Sequence, residues 1–222
     1  MNKFLHTILD WSELWATLIP LTFLLIYRGK YRYMKPVRLF ICILFVLNVC
    51  ALLIWKYQDT IPYKWLTSNN FIYNIISLLR FYMFAWFFIR LDQPFLRSLK
   101  KVVPLLFTLF VLVNFIFFEN LFYYWSFSSR LLSLETGLLL LYCLQYYFFI
   151  LNEDTHEDRR PPSFWVVTGL SIYVVINFPI FLFYKAFLNQ FKHFAVNIWD
   201  VTNISFIFFC LLIAKAIYES RD

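Results

Sequence analysis

Seven runs of apolar residues, each bounded by polar or charged positions, divide the chain. They fall at about 10–27, 37–57, 71–91, 102–118, 125–151, 164–185 and 194–218. Each approaches the ~20 residues that an α-helix needs to cross the hydrocarbon core of a bilayer. The pattern predicts an all-α polytopic membrane protein, a single seven-helix bundle covering 1–222. The longest polar stretch, near 151–163, is too short for a separate folded core. The fourth run is short, and 117–124 reads as a tight turn or an interfacial segment.

Composition agrees with this reading. Of 222 residues 62% are hydrophobic and only 15% charged, where a soluble domain carries about a quarter charged. The net charge of +7 would suggest nucleic acid in a soluble chain, but here topology accounts for it and no nucleic-acid partner is expected. The first connector holds Arg28, Lys30, Arg32, Lys35 and Arg38 with no acid, and the third holds Arg90, Arg97, Lys100 and Lys101 against Asp92. The fifth adds Arg159 and Arg160. The alternate connectors are poorer, with Lys56 and Lys64, then Lys185 and Lys192. Because Lys and Arg near span ends stay in the cytoplasm, the N-terminus is expected outside and the C-terminus inside. The expected location is a membrane, with membrane lipid as the first partner. Trp11, Trp55, Tyr63, Trp65 and Trp125 stand near span ends, where interfacial aromatic belts form.

Within the runs, a few polar residues change the picture. Arg80 lies nine residues into the third span and Glu135 ten into the fifth, both entered from the same side. At 1.5 Å rise per residue, each sits roughly 13–15 Å deep. An isolated charge there costs from a few to more than ten kcal/mol, so Arg80 is expected to pair with Glu135, or failing that with Asp200. Asn48, Asn74, Ser77, Asn114, Arg130, Asn177 and Asn203 fall in the same slab. Ser77 shares a helix face with Arg80 at i,i+3. Arg130, Ser133 and Thr136 join Glu135 on the fifth span, and Asn197, Asp200 and Asn203 share one side of the seventh. Asp10 and Glu13 are three apart near the outer face. The slab reads as a ligand-binding or switching polar core in the outer half, or as hydrogen-bonded glue between helices. Pro179, two residues after Asn177, is a candidate kink.

Enzymatic signals are sparse. The histidines are His6, His156 and His193; only His6, Asp10 and Glu13, with His193 opposite, offer even a conceivable external metal site. No nucleophile elbow, P-loop or dinucleotide fingerprint occurs. The chain is expected to be no enzyme, with no cofactor and no metal. Cys42, Cys50, Cys143 and Cys210 all lie inside apolar runs and read as buried structural thiols.

Two segments carry a resemblance. Phe164-Trp-Val-Val-Thr-Gly-Leu-Ser-Ile-Tyr-Val-Val-Ile-Asn-Phe178 with Phe181-Leu-Phe183, and the last span from Ile198-Trp199 to Lys215, resemble the final two helices of seven-helix membrane sensor regions fused to bacterial histidine kinases. The resemblance rests on aromatic and Asn positions and extends loosely over the whole layout. It implies a bacterial cytoplasmic (inner) membrane and signal reception, with output through a separate histidine kinase or other cytoplasmic protein, because no kinase domain follows Tyr218 here. The alternatives are a small-solute transporter using the Arg80 core and a membrane enzyme acting on lipid.

Overall fold

A computed structural model describes residues 3–27, 29–58, 68–91, 93, 97–122, 127–152, 160–190 and 192–221, with side chains described for all of these except 3–6, 185, 188–190 and 192–197. Among them every regular element is helical. The helices are α1 (Lys3–Asp10), α2 (Ser12–Ile26), α3 (Lys35–Tyr57), α4 (Asn70–Arg90), α5 (Arg97–Val113), α6 (Ser129–Asn152), α7 (Pro162–Gln190) and α8 (Lys192–Glu219). A 3-10 turn, Arg32–Met34, leads into α3, and a π-turn, Asn114–Phe118, ends α5. Six of these helices are long and apolar enough to cross a membrane, and α2 is a shorter apolar helix.

The first run differs from expectation. Helix starts already at Lys3, breaks at Trp11 and resumes at Ser12. The break is slight: the Trp11 carbonyl still accepts from the amides of Leu14 and Trp15, and the Trp15 indole donates to Ile8 O at 3.0 Å. At the fourth run the helix closes by a π-turn through Phe118; Tyr123 and Tyr124 lie outside the described residues. Helix α7 continues through Pro179 without interruption. Ser128 caps α6, its Oγ accepting from the Leu131 amide at 3.1 Å, as an N-cap serine satisfies a donor the helix leaves open.

Helix neighbours form a closed circuit. α2 packs on α3, α3 on α4, α4 on α6, α6 on α7, α7 on α8, and α8 returns to α2. α5 stands outside the ring against α4 and α6. Only 11% of its apolar window is buried, against 33–56% for the other long helices. The α7–α8 seam is close because Gly169 permits it: a Cβ there would meet Leu212 Cβ at 3.0 Å and Phe209 O at 3.3 Å. We call upper the end where α2, α4, α6 and α8 begin, and lower the opposite end.

The two ends are built differently. Below Arg80 the ring is filled with aromatic side chains. Phe40, Phe84 and Phe209 are fully buried and meet in a triangle, with centroids 5.2, 5.8 and 6.3 Å apart. Phe81 stacks on Phe107 of α5 at 3.8 Å, and Phe88 on Tyr142 at 5.2 Å. At the lower rim the α2–α3 connector is fastened to the end of α8. The Lys30 amide donates to Ser220 O at 3.0 Å, and Arg38 donates to Gly29 O at 3.0 Å and to Ser220 Oγ at 3.3 Å. Tyr218 packs edge-on against Tyr27 and Phe23.

The cysteines divide. Cys143 and Cys210 are buried, but Cys42 and Cys50 are exposed on the outside of the bundle. An apolar run predicts burial in protein or exposure to lipid equally, and these two take the second course.

Candidate functional site

Arg80 and Glu135 meet inside the ring, on α4 and α6. The guanidinium grips the carboxylate with two bonds, Nε to Oε1 at 2.5 Å and Nη2 to Oε2 at 2.9 Å. Ser77, a turn above, donates to Oε2 at 2.6 Å. Tyr173 of α7 completes the set. Its hydroxyl accepts from Arg80 Nη1 at 2.8 Å, and its ring centroid lies 4.6 Å from the guanidinium carbon. Arg80 is 5% exposed and Glu135 0%. A fork-to-fork pair with every nitrogen bonded is the geometry in which mutual attraction offsets burial of both charges.

Above this pair a narrow chamber of about 40 Å³ is lined from all six ring helices. Glu13, Asn48, Tyr73, Tyr173, Thr202 and Asn203 face it together with Arg80. It adjoins a wider vestibule of about 360 Å³ at the upper end, which shares Glu13, Asn48 and Tyr73 and adds Asp10, Trp11, Trp55 and Asn69. The Trp11 and Trp55 rings meet edge-to-face at 6.1 Å at its wall. Asn48 donates to Glu13 O at 2.8 Å, and the Tyr73 hydroxyl donates to Glu13 Oε2 at 2.9 Å. These bonds fix the start of α2 against α3 and α4.

The other polar residues read from the sequence separate into groups. Asn203 reaches the chamber; it is 1% exposed, and among the described residues its Nδ2 meets no hydrogen-bond partner. Asp200, one turn earlier on α8, is buried, but Arg80 takes Glu135 instead. Asn177 is interhelical glue, donating to Tyr173 O and to Ser205 Oγ of α8, both at 2.8 Å. Asn74 and Asn114 fasten the α5–α6 connector. Asn74 donates to Leu121 O at 3.1 Å and accepts from the Ser128 amide at 2.9 Å. Asn114 donates to Glu119 Oε2 at 3.3 Å, and Ser128 Oγ bonds the same carboxylate. Ser133 and Thr136 are buried and return their hydroxyls to α6 carbonyls.

Arg130 does not belong to the polar core. It is exposed and lies over the Phe118 ring at 5.2 Å. Five positions separate it from Glu135, about 140° around a helix of 3.6 residues per turn, so depth matches and direction does not. Conversely Tyr73, Tyr173 and Glu13 matter more than the sequence reading allowed. Two of the three were visible as spacings: Tyr73, Ser77 and Arg80 form one i,i+4,i+7 stripe, and Tyr173 stands four before Asn177.

The side chains of His6, His193 and Asn197 lie outside the described residues, as do Trp65 and Trp125. Among the described residues no three His, Cys, Asp or Glu side chains gather into a metal-binding group.

Compared with protein-family models, curated proteins and solved structures, the chain gives no match. The helical architecture and its six long apolar helices identify the chain as an integral-membrane-type helical bundle.

Proposed function

We propose that the chain is a seven-span receptor-type membrane domain without enzymatic activity, which receives a signal at its upper face and passes it to a separate cytoplasmic protein. α2, with α1 extending it, supplies the seventh crossing. The positive connectors set the upper end outside and the lower end inside a bacterial cytoplasmic membrane.

One observation carries this reading. The polar cavity runs from Asp10, Trp11, Trp55 and Asn69 at the upper end to Arg80, and lower in the ring Phe40, Phe84 and Phe209 are fully buried. A polar cavity at one end of the ring with buried aromatic packing at the other suits reception better than passage of a solute. α8 provides a route for the signal, because Thr202 and Asn203 line the chamber while Ser220 holds the α2–α3 connector at the other end. A helix shift between two packings is a known form of switching.

Cross-linking the chain in its native membrane and identifying what is attached tests this reading. A histidine kinase or similar signalling protein bound through the lower connectors is the expected result. Recovery of lipid and further copies of the chain alone overturns it. Flux of a small solute into proteoliposomes, lost on Arg80→Gln, would replace it with the transporter reading.

A further inference from the structure

The vestibule has a definite chemical character. Its walls combine a half-buried carboxylate, Glu13, with the aromatic rings of Trp11, Trp55 and Tyr73. Tyr73 occupies Glu13 Oε2, and among the described residues no lysine or arginine forms an ion pair with this carboxylate. Arg80, the base of the chamber, is already committed to Glu135. The site therefore sets an acidic side chain with no ion-pair partner among the described residues beside aromatic rings, a combination that suits an ammonium group. Its volume of about 360 Å³ falls within the roughly 300–1,000 Å³ of small-ligand pockets.

A second observation lies deeper. Asn203 is almost wholly buried in the chamber wall, yet among the described residues its Nδ2 has no acceptor. A buried donor left open is costly, so the position is one that an incoming acceptor oxygen would satisfy. The chamber, at about 40 Å³, admits a hydroxyl-sized group or a few waters and nothing larger. Glu13 and Asn203 line this same small space, so one short molecule can reach both.

We propose that vestibule and chamber together bind a small ammonium compound carrying an oxygen acceptor two or three bonds from its nitrogen, as in an amino alcohol. The ammonium sits at Glu13 among Trp11, Trp55 and Tyr73, and the oxygen accepts from Asn203 Nδ2. A free amine and the headgroup of an amine-bearing phospholipid share this chemistry. The inference names the ligand class for the receptor reading and rests on that reading only for its biological use.

The test is calorimetric titration of the purified full chain, in lipid-free detergent, with choline, tetramethylammonium and the uncharged isostere 3,3-dimethylbutan-1-ol. Choline should bind at least tenfold more tightly than the isostere, and Glu13→Gln should remove that preference. Choline should also exceed tetramethylammonium, and Asn203→Leu should abolish this second difference. Trp55→Ala, on the exposed wall and remote from the buried ion pair, should weaken choline several-fold and serves if Glu13→Gln does not fold. Equal binding of choline and the isostere, no binding of either, or choline binding indifferent to both Glu13→Gln and Trp55→Ala overturns the proposal. Repeating the titration in nanodiscs separates the sources. Competition by phosphatidylethanolamine but not by phosphatidylglycerol assigns the lipid headgroup, and undiminished choline binding in both assigns the free amine. Failure of the receptor reading shows differently: choline binds as described, and no signalling partner is found.

Discussion

The upper and lower halves of the ring use the same six helices to opposite ends. Above Arg80, side chains from every ring helix leave a gap and line it with polar atoms. Below it, Phe40, Phe84 and Phe209 leave none. In a bilayer, helices gain little by hiding apolar surface from one another, because lipid is as apolar as leucine. The lower half holds by close packing of rings and by hydrogen bonds at its rim. The upper half holds by charge and hydrogen bonds placed where water is scarce. The Arg80–Glu135 pair sits on the boundary and is the one element both halves need.

Breaking that boundary should give the largest effect. Arg80→Ala or Glu135→Ala strands a buried charge, a loss of about 3–5 kcal/mol, visible as a fall in the thermal unfolding midpoint in detergent. The double substitution should cost clearly less than the two losses added; simple additivity would show that the pair does not act as a unit. Next comes the packed half. Phe84→Ala should cost about 2 kcal/mol, less than in a soluble core because the ring is hidden from water by lipid either way. With Cys42 and Cys50 changed to Ser, it should also admit a water-soluble thiol reagent to Cys210, which is fully buried beside the intact layer. Tyr173→Phe removes one bond to a charged partner and keeps the ring, for about 1.5 kcal/mol. A loss above that of Arg80→Ala would move the centre of the site from the ion pair to the tyrosine. Smallest of all, Leu105→Ala on α5, 70% exposed, should change stability by less than about 0.5 kcal/mol. A large loss there would mean that α5 faces a partner instead of lipid.

The two halves were also unequally legible. The spans could be read because a bilayer demands long apolar runs, and the helices match them to within a few residues apart from the first and fourth. The Arg80–Glu135 pair could be read because two opposite charges at one depth have few other options. What depth alone cannot supply is direction around each helix. Arg130 shares the slab and points outward, while Asn74 and Asn114 share it and serve a connector. Nor does span order reveal that α5 stands outside while α4 and α6 touch. That choice is made by packing, through contacts such as Phe81 on Phe107, and leaves no periodic trace in the chain.

Closure of the ring by α8 against α2 has a consequence in time. The ribosome delivers α2 well before α8, so α2 waits in the membrane for a neighbour not yet made. Glu13 and Asn203, which face one cavity in the folded chain, enter the bilayer at opposite ends of synthesis. Contacts so distant in sequence are slow to form. During that interval Arg80 can already meet Glu135, because α4 and α6 emerge before α7 and α8. The ion pair is thus available as an early clasp that holds the growing bundle half-closed, and the chamber waits for α8 to arrive.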